Sequence, residues 1–200
     1  MIIIDTPTNI KEYSNTIVID LTQTRNKLSP FYPHGDIPIL NTPNLCSNSV
    51  NEVWQKLCVN KKSIELSPKN VIFRKGVGIN EYWTYEEARS MILVPTYRWM
   101  LENKAFDIVC KLREYNNQGR TLVFIDKTTN MDFADTSQPL SFAFLLKAYI
   151  ECTSPYEDAM EEYDVHRYVM VGNKEYSTII KDKRPRCISI NTDAQRYFDF

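Results

Sequence analysis

An α+β domain is the fold class that the sequence predicts. Short β-branched runs and amphipathic helical stretches mix along it without the regular strand–helix–strand rhythm that a doubly wound sheet requires. Neither GxGxxG nor GxxxxGKS/T occurs, so the usual dinucleotide and P-loop sites have no support. With 200 residues, 43% of them apolar, the chain can bury one sizeable core, and a single domain over 1–200 is expected. A formal charge of −1 removes the broad electrostatic pull on which non-specific nucleic-acid binders rely, so any nucleic-acid contact is expected to be local. No run approaches the roughly 18 consecutive apolar residues of a membrane span. The start, "MIIIDTPTNIKEY", has an acid and a proline where a signal peptide has a basic end and an apolar stretch, so a cytoplasmic protein with no membrane partner is expected. Cys46, Cys58, Cys110, Cys152 and Cys187 lie far apart without CxxC, which predicts reduced, mostly buried thiols and neither a zinc ribbon nor a disulfide framework.

After a polar start, "TIVIDL" (16–21) reads as a buried strand. Residues 28–48 read as an irregular loop, broken by Pro30, Pro33, Gly35, Pro38 and Pro43; loops of this length in compact domains are often functional. "SNSVNEVWQKLCVN" follows as an amphipathic helix over 49–58, with Val50, Val53, Trp54, Leu57 and Cys58 at helical spacing. "NVIFRKGVGINEYW" predicts an extended piece and a turn. Thr84 and Glu87 then form a capping-box signature, and Pro95 should begin a second helical segment that stops at Gly119. "RTLVFID" (120–126) predicts a core strand that opens into a polar loop, and "PLSFAFLLKAYIE" (139–151) predicts the central buried helix. "DVHRYVMVGNKEYSTIIKDKRPRCISI" alternates like two or three strands and contains the basic patch "KDKRPR".

At about 100° per residue, Asn51 and Gln55 sit just past the apolar edge of the 49–58 helix beside Cys58, whereas Glu52 and Lys56 fall on the wetter side. Spacing alone makes Glu52 and Lys56 an exposed i,i+4 pair.

"LSPFYPHG", "SVNEVWQKL" and "YRWMLENKAFDIVCKL", in that order and followed by "PLS" at the late helix, resemble the NADAR, or YbiA-like, family. Its members pair an S-N/P-F-Y-P loop with an S-V-E-x-x-W/Y/F-Q-x-x-K helix. The likeness runs over roughly residues 16–151, with 152–200 as an extension packed on the domain. It is closest to phage-type members that reverse the DNA modification made by ADP-ribosylating toxins, which implies a host cytoplasm. The resemblance implies a mostly helical α+β domain with a small sheet, an ADP-ribose-like pocket, and hydrolysis of N-glycosidic bonds with no metal and no cofactor. The implied substrates are ADP-ribosylated guanine in nucleic acid and phosphorylated riboflavin intermediates.

Two positions depart from the family pattern: Asn51 stands where the family has glutamate, and Cys58 where it has lysine. Positions 51, 55 and 58 form one strip, from which Glu52 and Lys56 are displaced by more than a quarter turn. Three outcomes remain open: an irregular helix start swings Glu52 inward, another carboxylate does the work, or the pocket binds without cutting.

Breaking an N-glycosidic bond passes through an oxocarbenium-like state, so a carboxylate must stabilise charge or activate water, and a proton must reach the departing base. Besides Glu52, the candidates are Asp132 and Asp135, whose loop follows the core strand and for which ordinary Asx-turns are the alternative, and behind them Asp36, whose place beside Gly35 is also ordinary turn chemistry. A base needs flat surfaces, for which Phe31, Tyr32, Trp54, Trp83, Tyr97 and Trp99 are candidates. Pro33 and Arg98 beside Tyr32 and Tyr97 imply a partly open setting for those two rings, although core packing is the commoner fate of an aromatic. His34 is a possible acid or donor, or a turn residue without a role. Arg98 can hold a phosphate or pair with Glu102 one turn on. Ser141 offers a helix start to a phosphate, or simply caps the helix. The nucleobase side is expected between the 28–38 loop and the 49–58 helix, with Asn51 and Gln55. Diphosphate and ribose are expected at Arg98, Asn130 and Ser141. The leading expectation is an ADP-ribosyl glycohydrolase acting on a nucleobase, against a non-catalytic ADP-ribose binder or an N-glycosidase of riboflavin intermediates.

Overall fold

The computed structural model describes residues 1–9, 16–60, 64, 71–153, 155 and 156. The strands expected beyond residue 156, "KDKRPR", Cys187 and nearly all of the 152–200 extension lie outside these residues. The described part is an α+β fold.

The first residues correct the sequence reading: "IIID" is strand β1 (Ile2–Asp5), not a polar start. Three β-branched residues suit a pleated surface, and the strand's partner lies more than a hundred residues on, which local pattern does not reveal. Strand β2 (Thr16–Asp20) follows, not buried as expected but at an edge of its sheet, with Val18 exposed and only Ile19 buried. The 28–48 segment is irregular as expected, apart from the two-residue strands β3 (Ile37–Pro38) and β4 (Cys46–Ser47), which pair antiparallel. Gly35 and Asp36 are consecutive left-handed residues (φ 74° and 55°), a conformation that glycine adopts without cost and aspartate tolerates.

Helix α1 (Val50–Leu57) starts at its N-cap Ser49, whose Oγ accepts from Glu52 N at 3.2 Å. The exposed Glu52–Lys56 pair does not form, because each charge finds a nearer main-chain partner. Glu52 accepts from Asn48 N at 2.9 Å, and Lys56 Nζ donates to Cys46 O at 2.9 Å. Strands β5 (Phe73–Arg74) and β6 (Tyr82–Trp83) make the predicted extended piece and turn.

Thr84 and Glu87 close the capping box of helix α2 (Tyr85–Ala88). One wide π turn (Arg89–Leu93) joins α2 to α3 (Val94–Asn103) with helical backbone throughout. Pro95 therefore does not begin a separate segment as expected but sits inside a continuous helical run, just after the π turn where the ordinary hydrogen-bond ladder is already interrupted. Helix α4 (Phe106–Asn117) ends before Gly119, which is left-handed at φ 77°. Strand β7 (Thr121–Ile125) and helix α5 (Phe142–Glu151) complete the described elements. Among them no helix is long and apolar enough to cross a membrane.

Strand β7 lies between β1 and β2, and both pairings are parallel. Ile2 and Ile17 flank Leu122, and Ile4 and Ile19 flank Phe124, so one face of the sheet joins the helical core. Elsewhere in the core the rings of Trp54 and Phe73 meet at 4.0 Å, with Tyr85 at 5.8 Å from Trp54. The thiols correct a second expectation: of the four described cysteines only Cys58 is buried, while Cys152 is exposed at the end of α5.

Candidate functional site

Because all three strands run the same way, their carboxyl ends share one edge, the usual place for ligands on open parallel sheets. A small cleft, open to solvent, lies there. Thr22 reaches it from the turn after β2, Phe31 from the "LSPFYPHG" loop, and Asp126, Lys127 and Thr128 from the end of β7. Pro139, Leu140 and Phe142 reach it from the start of α5, and Ile64 closes one side.

Asp126 anchors the start of α5. Its Oδ2 accepts from Phe142 N at 2.6 Å, Ser141 Oγ at 3.0 Å and Ala143 N at 3.1 Å, and its Oδ1 accepts from Lys127 N at 2.7 Å. These donors include the first N–H groups of α5, which no residue inside the helix can satisfy. Burial nevertheless pushes the Asp126 carboxyl above its ordinary value of 3.8, with the hydrogen bonds opposing that shift. Ser141 is fully buried as the N-cap: besides its bond to Asp126, its Oγ accepts from Phe144 N at 3.2 Å.

The 28–38 loop is tied down from three sides. Ser29 Oγ donates to Leu21 O at 2.8 Å, Tyr97 Oη donates to Leu28 O at 2.8 Å, and Asn51 N donates to Pro30 O at 3.0 Å. Phe31, next along, is thereby held against the cleft. Asn51 also accepts from Ile64 N at 3.1 Å, so it braces the cleft residue Ile64 and Pro30, the neighbour of Phe31, without lining the cleft itself. The loop is thus bonded directly to α1, and the cleft opens toward α5, not between the loop and α1 as the sequence suggested.

Tyr97 corrects another expectation. It is fully buried, not partly open, with its ring 4.9 Å from that of Phe142. Burial, and then the nearby Asp126 charge, push its hydroxyl well above the ordinary 10.0. Trp54 is likewise wholly in the core. Tyr32 and His34 are half-buried, with rings 4.6 Å apart, on a part of the loop that does not reach the cleft. His34 Nε2 lies 2.7 Å from Lys27 O, and burial lowers the ring's pKa from 6.5. Arg98 pairs with Glu102 at 2.7 Å. Trp99 is half-buried beside Lys104, and Gln55, also half-buried, has no hydrogen-bond partner among the described residues.

Asp132 and Asp135 close Asx-turns, accepting from Ala134 N at 2.8 Å and from Ser137 N at 2.9 Å. Asn130 organises the same loop, donating to Asp135 O at 3.0 Å and accepting from Asp132 N at 2.9 Å. Of the residues singled out in the sequence, the fold therefore brings Phe31 onto the cleft and sets Ser141 and Asn51 directly behind it. Among the described residues, Asp126 is the carboxylate on the cleft. In the sequence Asp126 reads as the last residue of a strand; the signal for its role is its place between a core strand and an apolar helix that lacks an acid in its first turn. No group of three or more described His, Cys, Asp or Glu side chains is placed to hold a metal ion.

A protein-family model matches residues 5–72 and 61–146: it is the family of unknown function DUF6939, and the chain belongs to it. No curated protein and no solved structure matches the chain.

Proposed function

We propose that this member of a family of unknown function recognises a ligand of the ADP-ribose type in the cleft at the carboxyl edge of its parallel sheet. One observation carries the reading: Phe31, from the "LSPFYPHG" segment that resembles the NADAR loop, lines the same cleft as Asp126, Thr128 and Phe142. The half-buried ring of Phe31 suits the flat face of a base, while Thr22, Lys127 and Thr128 offer polar partners to ribose and phosphate.

The carboxylates favour recognition over hydrolysis. Glu52, Asp132 and Asp135 are each occupied with local main-chain groups, and Asp126 already accepts four hydrogen bonds. A second reading keeps the hydrolase, which removes ADP-ribose from a nucleobase, guanine in DNA foremost. Water adds to the anomeric carbon, the C–N bond breaks, and the base leaves with a proton. The raised, buried Asp126 carboxyl at the cleft supports this reading, because acid–base groups are tuned in that way. An N-glycosidase of riboflavin intermediates would use the same chemistry.

The test is calorimetric titration with ADP-ribose alongside incubation with DNA and RNA carrying ADP-ribosylated guanine. Binding without release of free ADP-ribose supports recognition, and multiple-turnover release supports the hydrolase. Absence of both refutes the ADP-ribose reading.

A further inference from the structure

Arg89 is wholly buried, yet no described carboxylate lies within ion-pair distance of it. Its partners are main-chain oxygens. Nη1 donates to the carbonyls of Asp135 at 2.7 Å, Phe133 at 3.0 Å and Asp132 at 3.2 Å, and Nη2 donates to that of Gln138. Nε has no partner among the described residues, and the guanidinium carbon stands 4.8 Å from the centre of the Tyr85 ring.

Four inward-turned carbonyls around one cation form an oxygen cage of the kind that loops build around bound ions. We infer that the loop over residues 130–138 is organised around a cation that the protein supplies itself, the Arg89 guanidinium, and that Arg89 is therefore a positioning residue for the cleft. The second half rests on the reading proposed above. The loop is flanked by Thr128 and Pro139, both on the cleft, and Ser141 N donates to Asn130 O at 2.9 Å, so a shift of the cage moves the start of α5. Asn130 cannot replace the cation. Its single amide nitrogen shares only two of the four acceptors, Asp135 O at 3.0 Å and Gln138 O at 3.3 Å. Lysine cannot replace it either, because a guanidinium fans its donors across a plane and an ammonium is a point charge. Without a cation, dipoles of one sign converge in a poorly hydrated space, an arrangement that opens toward water.

The experiment uses the full chain carrying Arg89→Lys or Arg89→Ala, with and without millimolar guanidinium against matched sodium chloride. It reads amide exchange across 130–138 and ADP-ribose affinity. Exchange in 132–138 should quicken by about tenfold or more while β7 and α3 keep their protection. In Arg89→Ala, guanidinium but not sodium should restore the slow exchange and, with it, about tenfold of lost affinity. If Arg89→Ala does not fold, Arg89→Lys carries the test through the same exchange rates. Unchanged exchange in the folded variants, or equal rescue by sodium, overturns the cage. A loosened loop with wild-type affinity overturns the positioning role. If the wild type itself fails to bind ADP-ribose, the proposed ligand falls, and exchange with guanidinium rescue still decides the cage.

Discussion

Replacing Asp126 by alanine tests how the start of α5 is held beside the cleft. The substitution strips the acceptor from three main-chain N–H groups, those of Lys127, Phe142 and Ala143, and from the Ser141 hydroxyl. Each donor orphaned in a buried setting costs about 1–3 kcal/mol. Removing a buried carboxylate gives part of that back, because its own burial is unfavourable, so a net loss of about 2–4 kcal/mol is expected. At about 2–4 °C per kcal/mol for a chain of this size, the thermal midpoint should fall by about 4–16 °C. Asp126→Asn keeps the volume and one acceptor oxygen, so it should lose less. The pH dependence has a definite sign. The folded-state pKa of Asp126 is raised, so its contribution is fully present below the ordinary 3.8 and is lost as the pH climbs through the higher folded value. The stability gap between wild type and Asp126→Asn should therefore narrow as the pH rises from below 3.8 toward neutrality. Urea unfolding across that range supplies both numbers. An alanine variant within about 0.5 kcal/mol of wild type would refute the anchoring argument.

Tyr97→Phe should cost about 1–2 kcal/mol in urea unfolding, because the Leu28 carbonyl loses a buried donor at 2.8 Å; an unchanged midpoint would mean that the hydroxyl does not hold the loop. Glu52→Ala should cost about 0.5–1 kcal/mol through the lost Asn48 contact and leave ADP-ribose affinity as it was. A large drop in affinity would return Glu52 to the site. His34 has a lowered pKa, so its contribution is present above the ordinary 6.5 and is lost as the pH falls through the folded value. Thermal midpoints of His34→Gln should accordingly fall less than those of wild type on acidification, and parallel curves would contradict this.

Local chemistry was legible. The Ser49 cap, the Thr84–Glu87 box, the stop at Gly119 and the buried "FAFLLKAYI" helix all express interactions within a few residues, which side-chain type and spacing encode directly. The parallel sheet was not, because β1 and β2 both pair with a strand roughly a hundred residues away and no crossover of ordinary length advertises it. The site divided along the same line. Phe31 could be picked from its proline-rich loop, but Tyr97 and Trp54 resemble ligand-stacking rings until burial is known. Asp132 and Asp135 look catalytic until their Asx-turns are seen. Arg89 left a faint trace: a lone charge at helical spacing among Tyr85, Ala88, Ile92 and Leu93, where an exposed residue does not belong.

The most direct measurement is calorimetric titration of ADP-ribose into wild type and Phe31→Ala. Phe31 is half-buried on the cleft wall, and its ring is the one aromatic surface that the "LSPFYPHG" loop gives to the cleft. The account predicts saturable binding to wild type that weakens by about tenfold or more when that surface is removed, the loss of one base-stacking contact. Binding of equal strength by both proteins, with Phe31→Ala still folded, would contradict the placement of the ligand at the carboxyl edge of the sheet.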